Sequence, residues 1–251
     1  ALEYVVIDGG STDDSVSVIE RHQADLAYWV SEPDRGHADA LNKGFAKTSG
    51  EIMCWINSSD LHYPWTLATV AEVFTQFPEI DWLTGTGSLF DTDGRLRFVV
   101  STRGPNVFDV LAGDYRGIQQ ESVFWRRSLW DRAGGRLDES LAYAADLDLW
   151  LRFFRHARLY HVETLLGGFR VHENRLGKAG GDMYARQAEE IHAHFVTGWD
   201  GRSLARARVI RMMGSRRGKR IAEGLGRVGI LPWYKHPSLA FDFGPMAWVL
   251  R

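Results

Sequence analysis

The sequence predicts an α/β protein built on a doubly wound, mostly parallel sheet flanked by helices. Two observations lead there. Short β-branched or apolar runs alternate with amphipathic stretches three times within the first ninety residues, the rhythm of strand–helix–strand units. The polar clusters at 8–14, 32–36 and 57–60 each follow an apolar run. They therefore fall at the carboxyl ends of the expected strands, where ligands bind in such sheets.

Leu2 to Ile7 reads as the first strand, rich in β-branched and aromatic residues. The turn Asp8-Gly9-Gly10-Ser11-Thr12-Asp13-Asp14 ends it, and Ser11 to Asp14 offer caps for a helix over roughly 13–23. Ala27 to Ser31 is a second strand, followed by the polar loop Glu32 to Gly36 and a helix over 37–47 with Ala40, Leu41 and Phe45 on one side. Ile52 to Ile56 is an unbroken apolar run, as expected of a strand buried on both faces. Pro64 opens a helix to about 77, and Asp81 to Thr86 gives another strand. Beyond it the rhythm loosens. Residues 88–101 suggest a hairpin around Asp91-Thr92-Asp93-Gly94, then come the segment Gln119 to Trp125 and a helix near 127–132. Tyr143 to Phe154 is helical, Leu159 to Val162 and Leu165 to Val171 are strands, and 181–196 is a helix.

Composition narrows the class. With 251 residues, 45% of them apolar, the chain can bury a core in one domain with an appendage. The single cysteine, Cys54, excludes an internal disulfide framework and suits a reducing compartment. No run of eighteen apolar residues encodes a spanning helix. The formal charge of −2 hides a division, because residues 201–251 carry eleven Lys or Arg against two acids. That places a boundary between a domain over 1–197 and a basic, partly helical tail over 198–251. The tail either meets an anionic membrane surface or lays a solvated helical face on the domain. The chain opens without methionine inside a core strand, which reads as a fragment.

The strings VVIDGGSTDDS and SEPDRGHADALNKGFAKTSGEIMCWINSSDLHYP, then QQESVFWRRSLW, LDESLAYAADLDLWLRF and FRVH, resemble in the same order the motifs of family 2 glycosyltransferases. The resemblance covers about residues 2–195. It implies a GT-A-like fold whose first strand and helix are missing here, and a sugar transfer from a nucleoside diphosphate sugar to a hydroxyl of a glycan or lipid-linked acceptor. The expected setting is cell-surface polysaccharide or glycoconjugate synthesis, in the cytoplasm or at the inner face of the membrane, with no nucleic-acid partner. A nicotinamide-dependent dehydrogenase is the rival with a similar start, but the fingerprint G-x-G-x-x-G is absent.

By the resemblance, Asp8 contacts the nucleoside of the donor, where a second acid is replaced by Gly9; the alternative is an Asp that bonds its own turn amides. Asp34, Arg35, Asp39, Asn42 and Lys43 match the loop and helix that close on the nucleotide, with Arg35 or Lys43 to neutralise diphosphate, although Asp39 with Lys43 also forms an ordinary i,i+4 pair. Asn57-Ser58-Ser59-Asp60 stands where an acidic metal motif is usual. Asn57 is then at the nucleotide sugar, and Asp60 with His172 holds a divalent cation, Mn²⁺ or Mg²⁺, weakly for want of an acid at Ser59. Asp146 matches the general base of an inverting displacement, with Asp148 the runner-up. Gln120 and Glu121 match the acceptor side, and Trp125 or Trp150 offers a face for a sugar or, as aromatics more often do, belongs to the core. Gly9 and Ser59 leave one alternative open: a related domain that binds nucleotide or glycan without turnover.

Overall fold

The computed structural model describes residues 1–99, 104–115, 117–172, 176–214 and 216–251, with the backbone alone for 176–181 and 216–217. The first half runs β1 (Val5–Asp8), α1 (Ser15–His22), β2 (Tyr28–Ser31), α2 (His37–Phe45), β3 (Ile52–Met53), β4 (Leu61–His62), α3 (Thr66–Gln76), β5 (Trp82–Thr86), β6 (Ser88–Phe90) and β7 (Leu96–Val99). Then follow α4 (Val107–Leu111), β8 (Val123–Arg126), α5 (Arg127–Arg132), α6 (Ala145–Phe154), β9 (Leu159–Leu165) and β10 (Gly167–Arg170). The chain finishes with α7 (Leu176–Thr197), α8 (Gly201–Met212), α9 (Arg216–Arg227), β11 (Ser238–Asp242) and β12 (Ala247–Leu250).

The α/β architecture is the expected one. The strands fall into a parallel pair β1-β2, a four-stranded sheet β4-β10-β6-β7, and a six-stranded sheet β12-β11-β9-β5-β8-β3. Parallel pairing joins β1 to β2, β5 to β9, β9 to β11 and β6 to β10. The antiparallel share is larger than the strand–helix rhythm implies. β8 runs against both β5 and β3, because the chain leaves β5 through the β6–β7 hairpin and comes back the other way. Of the hairpin expected over 88–101, positions 100 and 101 lie outside the described residues.

The six-stranded sheet separates two cores, and neighbouring residues on one strand feed opposite faces. Trp82, Val123 and Trp125 point into a core shared with α2, α5 and α6, while Leu83 and Phe124 meet Val70, Val73 and Phe74 of α3. Phe45, Trp55, Trp125, Trp130, Trp150 and Phe153 make a nest of ring contacts in the first core, with Trp55 stacked on Trp150 at 5.4 Å and 11°. Trp125 and Trp150 are 0% and 2% exposed. This decides their role against a sugar platform, since a buried ring offers no face to a ligand.

The tail is partly helical, as expected, but it also adds strands. Asp200 caps α8 by accepting from the amides of Arg202 and Ser203. After α9 the chain returns, and β11 pairs with β9 in the main sheet, so that Leu239 and Trp248 close the second core. The buried Tyr234 hydroxyl donates to Asp109 at 2.6 Å. Asp109 is itself held at the start of α4 by a capping box with Asn106.

Candidate functional site

Asp8 ends β1, and its carboxylate accepts from the amides of Gly10 and Ser11 and the hydroxyls of Ser11 and Ser31 at 2.5–3.1 Å. Burial alone would raise its pKa, but these donors hold it below the usual value. Gly10 takes φ +83°, a backbone that favours glycine, and lets the turn fold back on Asp8. At Gly9 the reason is space, since a Cβ there would lie 2.4 Å from an Asp34 carboxylate oxygen. Thus Asp34 brings a carboxylate against the position where the resemblance expects a second acid.

The loop after β2 closes on α2 through charge. Asp39, with its side chain 6% exposed, accepts from the backbone and guanidinium of Arg35 and lies 3.4 Å from Lys43. The Arg35 bonds, first among the causes, hold the Asp39 carboxyl down to about 2. Arg35 also reaches Glu139, and Lys43 reaches Glu32. Both candidate diphosphate cations are therefore already paired with carboxylates. Asn42 clamps α2 to a distant loop, donating to the Leu137 carbonyl and Glu139 and accepting from the Leu137 amide.

The centre lies beyond β3. The Asn57 amide donates to Asp60 and to Gln120, each at 3.1 Å, and its oxygen meets the His37 ring at 2.9 Å. Gln120 in turn donates to the Trp55 carbonyl. Asp60 also accepts from the Arg170 amide at 3.0 Å, and the Arg170 guanidinium holds the Ser59 carbonyl. Burial raises the Asp60 pKa against the opposing pull of those donors and of the charge at His172. One carboxylate and one imidazole thus face each other here, but no group of three His, Cys, Asp or Glu forms a metal cluster among the described residues.

Glu121 is 2% exposed in a short 3-10 turn before β8, where Gln119 donates to it at 2.7 Å. Burial, then the like charges of Asp60 and Asp146, push its pKa up to about 8, so it keeps its proton at neutral pH. Asp146 sits in the first turn of α6, its carboxylate accepting from the Leu147 amide. Burial raises its pKa too, and the charge at His37 opposes that rise. The runner-up Asp148 is tied to Arg152 at 2.8 Å, which leaves Asp146 as the acid that interacts with Glu121 and His37.

The structure therefore groups Asn57, Asp60, Gln120, Glu121, Asp146 and His172 into one centre, with Asp8, Asp34, Arg35, Asp39, Asn42 and Lys43 on the neighbouring β1-β2 side. His37, Arg170 and Glu139 complete the arrangement and were not foreseen, while Gln119 joins it from the segment that the resemblance puts on the acceptor side. Only His37 carries a local signal, as the first residue of the helix after Gly36, whose φ is +123°.

The fold that gathers these acids at its strand ends is GT-A-like. Solved structures of TarS from S. aureus share the fold at a TM-score of 0.60: one at 16% identity covers 90% of this chain and 42% of its own. Another, in complex with UDP, matches at 15% identity over 91% of this chain and 73% of that one. Residues 1–98 match the model of glycosyl transferase family 2. A glycosyltransferase of Mycobacterium tuberculosis is 34% identical over 155 residues, which is 60% of this chain and 56% of the relative. The succinoglycan biosynthesis protein ExoU of Rhizobium meliloti is 27% identical over 183 residues, 64% of this chain and 51% of its own length. The chain spans about half the length of these curated relatives.

Proposed function

We propose that the chain transfers a sugar from a nucleoside diphosphate sugar to a hydroxyl of a glycan or lipid-linked acceptor, with inversion at the anomeric carbon and Asp146 as the general base. The observation that carries this reading is the separation of roles among three neighbouring carboxyls. Glu121 is held protonated, Asp60 is fixed by the Arg170 amide and Asn57, and Asp146, with no Arg or Lys partner among the described residues, interacts with the charge at His37. The neutral Glu121 keeps the centre from gathering three negative charges, which favours the carboxylate form of Asp146 against the rise that burial imposes. Its carboxylate takes the acceptor proton as the hydroxyl oxygen bonds to the anomeric carbon, and the bond from that carbon to the β-phosphate oxygen breaks with its electrons. One base and one displacement give inversion, as in the two-carboxylate logic of inverting glycosidases.

A divalent cation fits the residues in part. Asp60 and His172 supply one carboxylate and one imidazole near each other, and the remaining ligands have to be oxygens of the donor diphosphate. Held there, such a cation would supply Lewis-acid stabilisation for the charge of a leaving nucleoside diphosphate. The Asp8 and Asp34 carboxylates on the other side of the centre suit hydroxyls and N–H groups of a nucleoside.

The solved complexes of TarS with UDP and with UDP-GlcNAc make uridine sugars the donors to try first. The likeness to ExoU supports a setting in polysaccharide synthesis. Met212, Ile221, Val228 and Ile230 are exposed among the arginines of the tail, which supports contact with an anionic membrane at the inner face. No helix of the described residues is long and apolar enough to cross one.

The test is calorimetry with UDP and GDP, each with and without Mn²⁺, followed by turnover with the sugar of the base that binds. Binding that needs the metal, and product that needs Asp146, are the expected results. No binding of either nucleotide in any condition sinks the proposal. A domain that binds without turnover is the second reading, favoured by Ser59 in place of an acid and by the pairing of Arg35 and Lys43. Ser59→Asp separates the two, since a metal-dependent gain in rate belongs to a weakened enzyme and an unchanged zero rate to a binding domain.

A further inference from the structure

Where the tail packs on the domain lies a cleft that the transfer reaction does not use. Its volume is about 410 Å³, and it is walled by the 154–159 turn after α6, the start of α4, Arg206 of α8 and the stretch from Pro232 to Pro237. Arg155, His156, Arg158, Arg206 and Lys235 line it, and no Asp or Glu does among the described residues.

Several cations elsewhere in this protein find carboxylates, as Arg35, Lys43, Arg97, Arg126, Arg132 and Arg152 do. In the cleft they do not. Arg155 donates to the carbonyls of Phe195 and Gly198 and lies over the rings of Phe195 and Trp199, and burial lowers its pKa with no acid to oppose it. The Arg206 guanidinium lies over both Phe108 and Trp233, 5.7 and 5.4 Å from their ring centres. The side chains of Arg158 and Lys235 have neither a hydrogen bond nor an ion pair among the described residues.

Like charges gathered in a concave, partly desolvated place repel one another, and an anion relieves that repulsion. A planar guanidinium meets phosphate through paired N–H groups, while the edge-to-face rings of Phe108 and Trp233, 5.1 Å apart, offer an apolar wall beside it. We propose that this cleft is a second ligand site, taking a phosphomonoester or diphosphate that carries an apolar or planar attachment. It shares no lining residue with the carboxylate centre and does not depend on the transferase reading. That centre calls for a cation to hold a diphosphate, whereas the cleft supplies the positive charge from its own side chains.

Two sources present this chemistry, a small phosphorylated molecule and a phospholipid headgroup, and the test has an arm for each. The full chain in EDTA, which removes cation-dependent donor binding, is titrated with pyrophosphate by calorimetry. In parallel it is mixed with phosphatidylcholine vesicles with and without phosphatidic acid and sedimented. The double substitution Arg158→Ala, Lys235→Ala removes two cations that hold nothing else, so the unfolding midpoint should stay unchanged. The expected result is saturable, salt-sensitive binding in at least one arm, weakened about tenfold or more by the double substitution. A response to pyrophosphate assigns the small molecule, and a response confined to phosphatidic acid vesicles assigns the headgroup. Binding in neither arm, or binding that the substitution leaves intact, overturns the proposal.

Discussion

Replacing Glu121 by glutamine keeps the shape of the side chain and removes its proton chemistry. In the native protein burial moves this carboxyl from 4.5 to about 8. At about 1.4 kcal/mol for each unit, the buried anion is disfavoured by roughly 5 kcal/mol relative to the acid. That is a large fraction of the stability of an ordinary domain. The sign follows from proton counts. Between the unfolded value and about 8 the folded chain keeps a proton that the unfolded chain has released. Stability is therefore whole below the unfolded value and falls as pH rises toward and through 8. The substituted amide has nothing to release, and Gln119 still has an oxygen to donate to, so this part of the pH dependence disappears. Asp60 and Asp146, also raised by burial, leave a shallower slope of the same sign at lower pH. Urea unfolding at about pH 5, 6.5 and 8 reads the effect directly. The native midpoint should drop steeply across the series, while that of Glu121→Gln stays nearly level and exceeds it at pH 8. Parallel curves for the two proteins would refute the assignment of Glu121 as a neutral acid.

Asp146→Asn should lower kcat by about 10²–10⁴ with the unfolding midpoint kept or raised, because it removes a carboxylate that burial disfavours; a turnover assay beside a melting curve checks both. Asp39→Asn removes the common partner of Arg35 and Lys43 and should lower the melting temperature. The native protein loses this contribution as pH falls from the ordinary aspartate value, about 4, through about 2, and the variant should show a flatter acid limb in circular dichroism. Tyr234→Phe leaves Asp109 without its buried hydroxyl donor and should cost about 1–2 kcal/mol, with faster limited proteolysis between α9 and β11.

The elements that sequence located well are those whose pattern is local. Tyr28 to Ser31, Trp82 to Thr86 and Ala145 to Phe154 carry either a continuous apolar run or a helical apolar stripe, and burial follows the pattern in the last two while Tyr28 to Ser31 stays half-buried. β11 was obscured by its surroundings, because the charge excess of the last fifty residues reads as an appendage while Ser238 to Asp242 needs β9, about seventy residues earlier, to become a strand. Asn106 with Asp109 three residues on is a local N-cap signal for α4. At the site the acids were visible because they end strands or open a helix. Their companions were not, since the links from His37 to Asn57 and from Asn42 to Glu139 span 20 and 97 residues and only the folded chain brings them together.

The pairing of β9 with β11 has a consequence during synthesis. One edge of β9 is covered by β5 as soon as it is made, but the other waits for residues 238–242. At about 5–20 residues per second, the roughly seventy intervening residues take several seconds to appear. Throughout that interval a nascent chain carries an open strand edge beside the apolar surface that Leu239 and Trp248 later cover, a template on which a neighbouring chain can pair. A holding chaperone therefore favours soluble yield of this protein by shielding one edge of one strand.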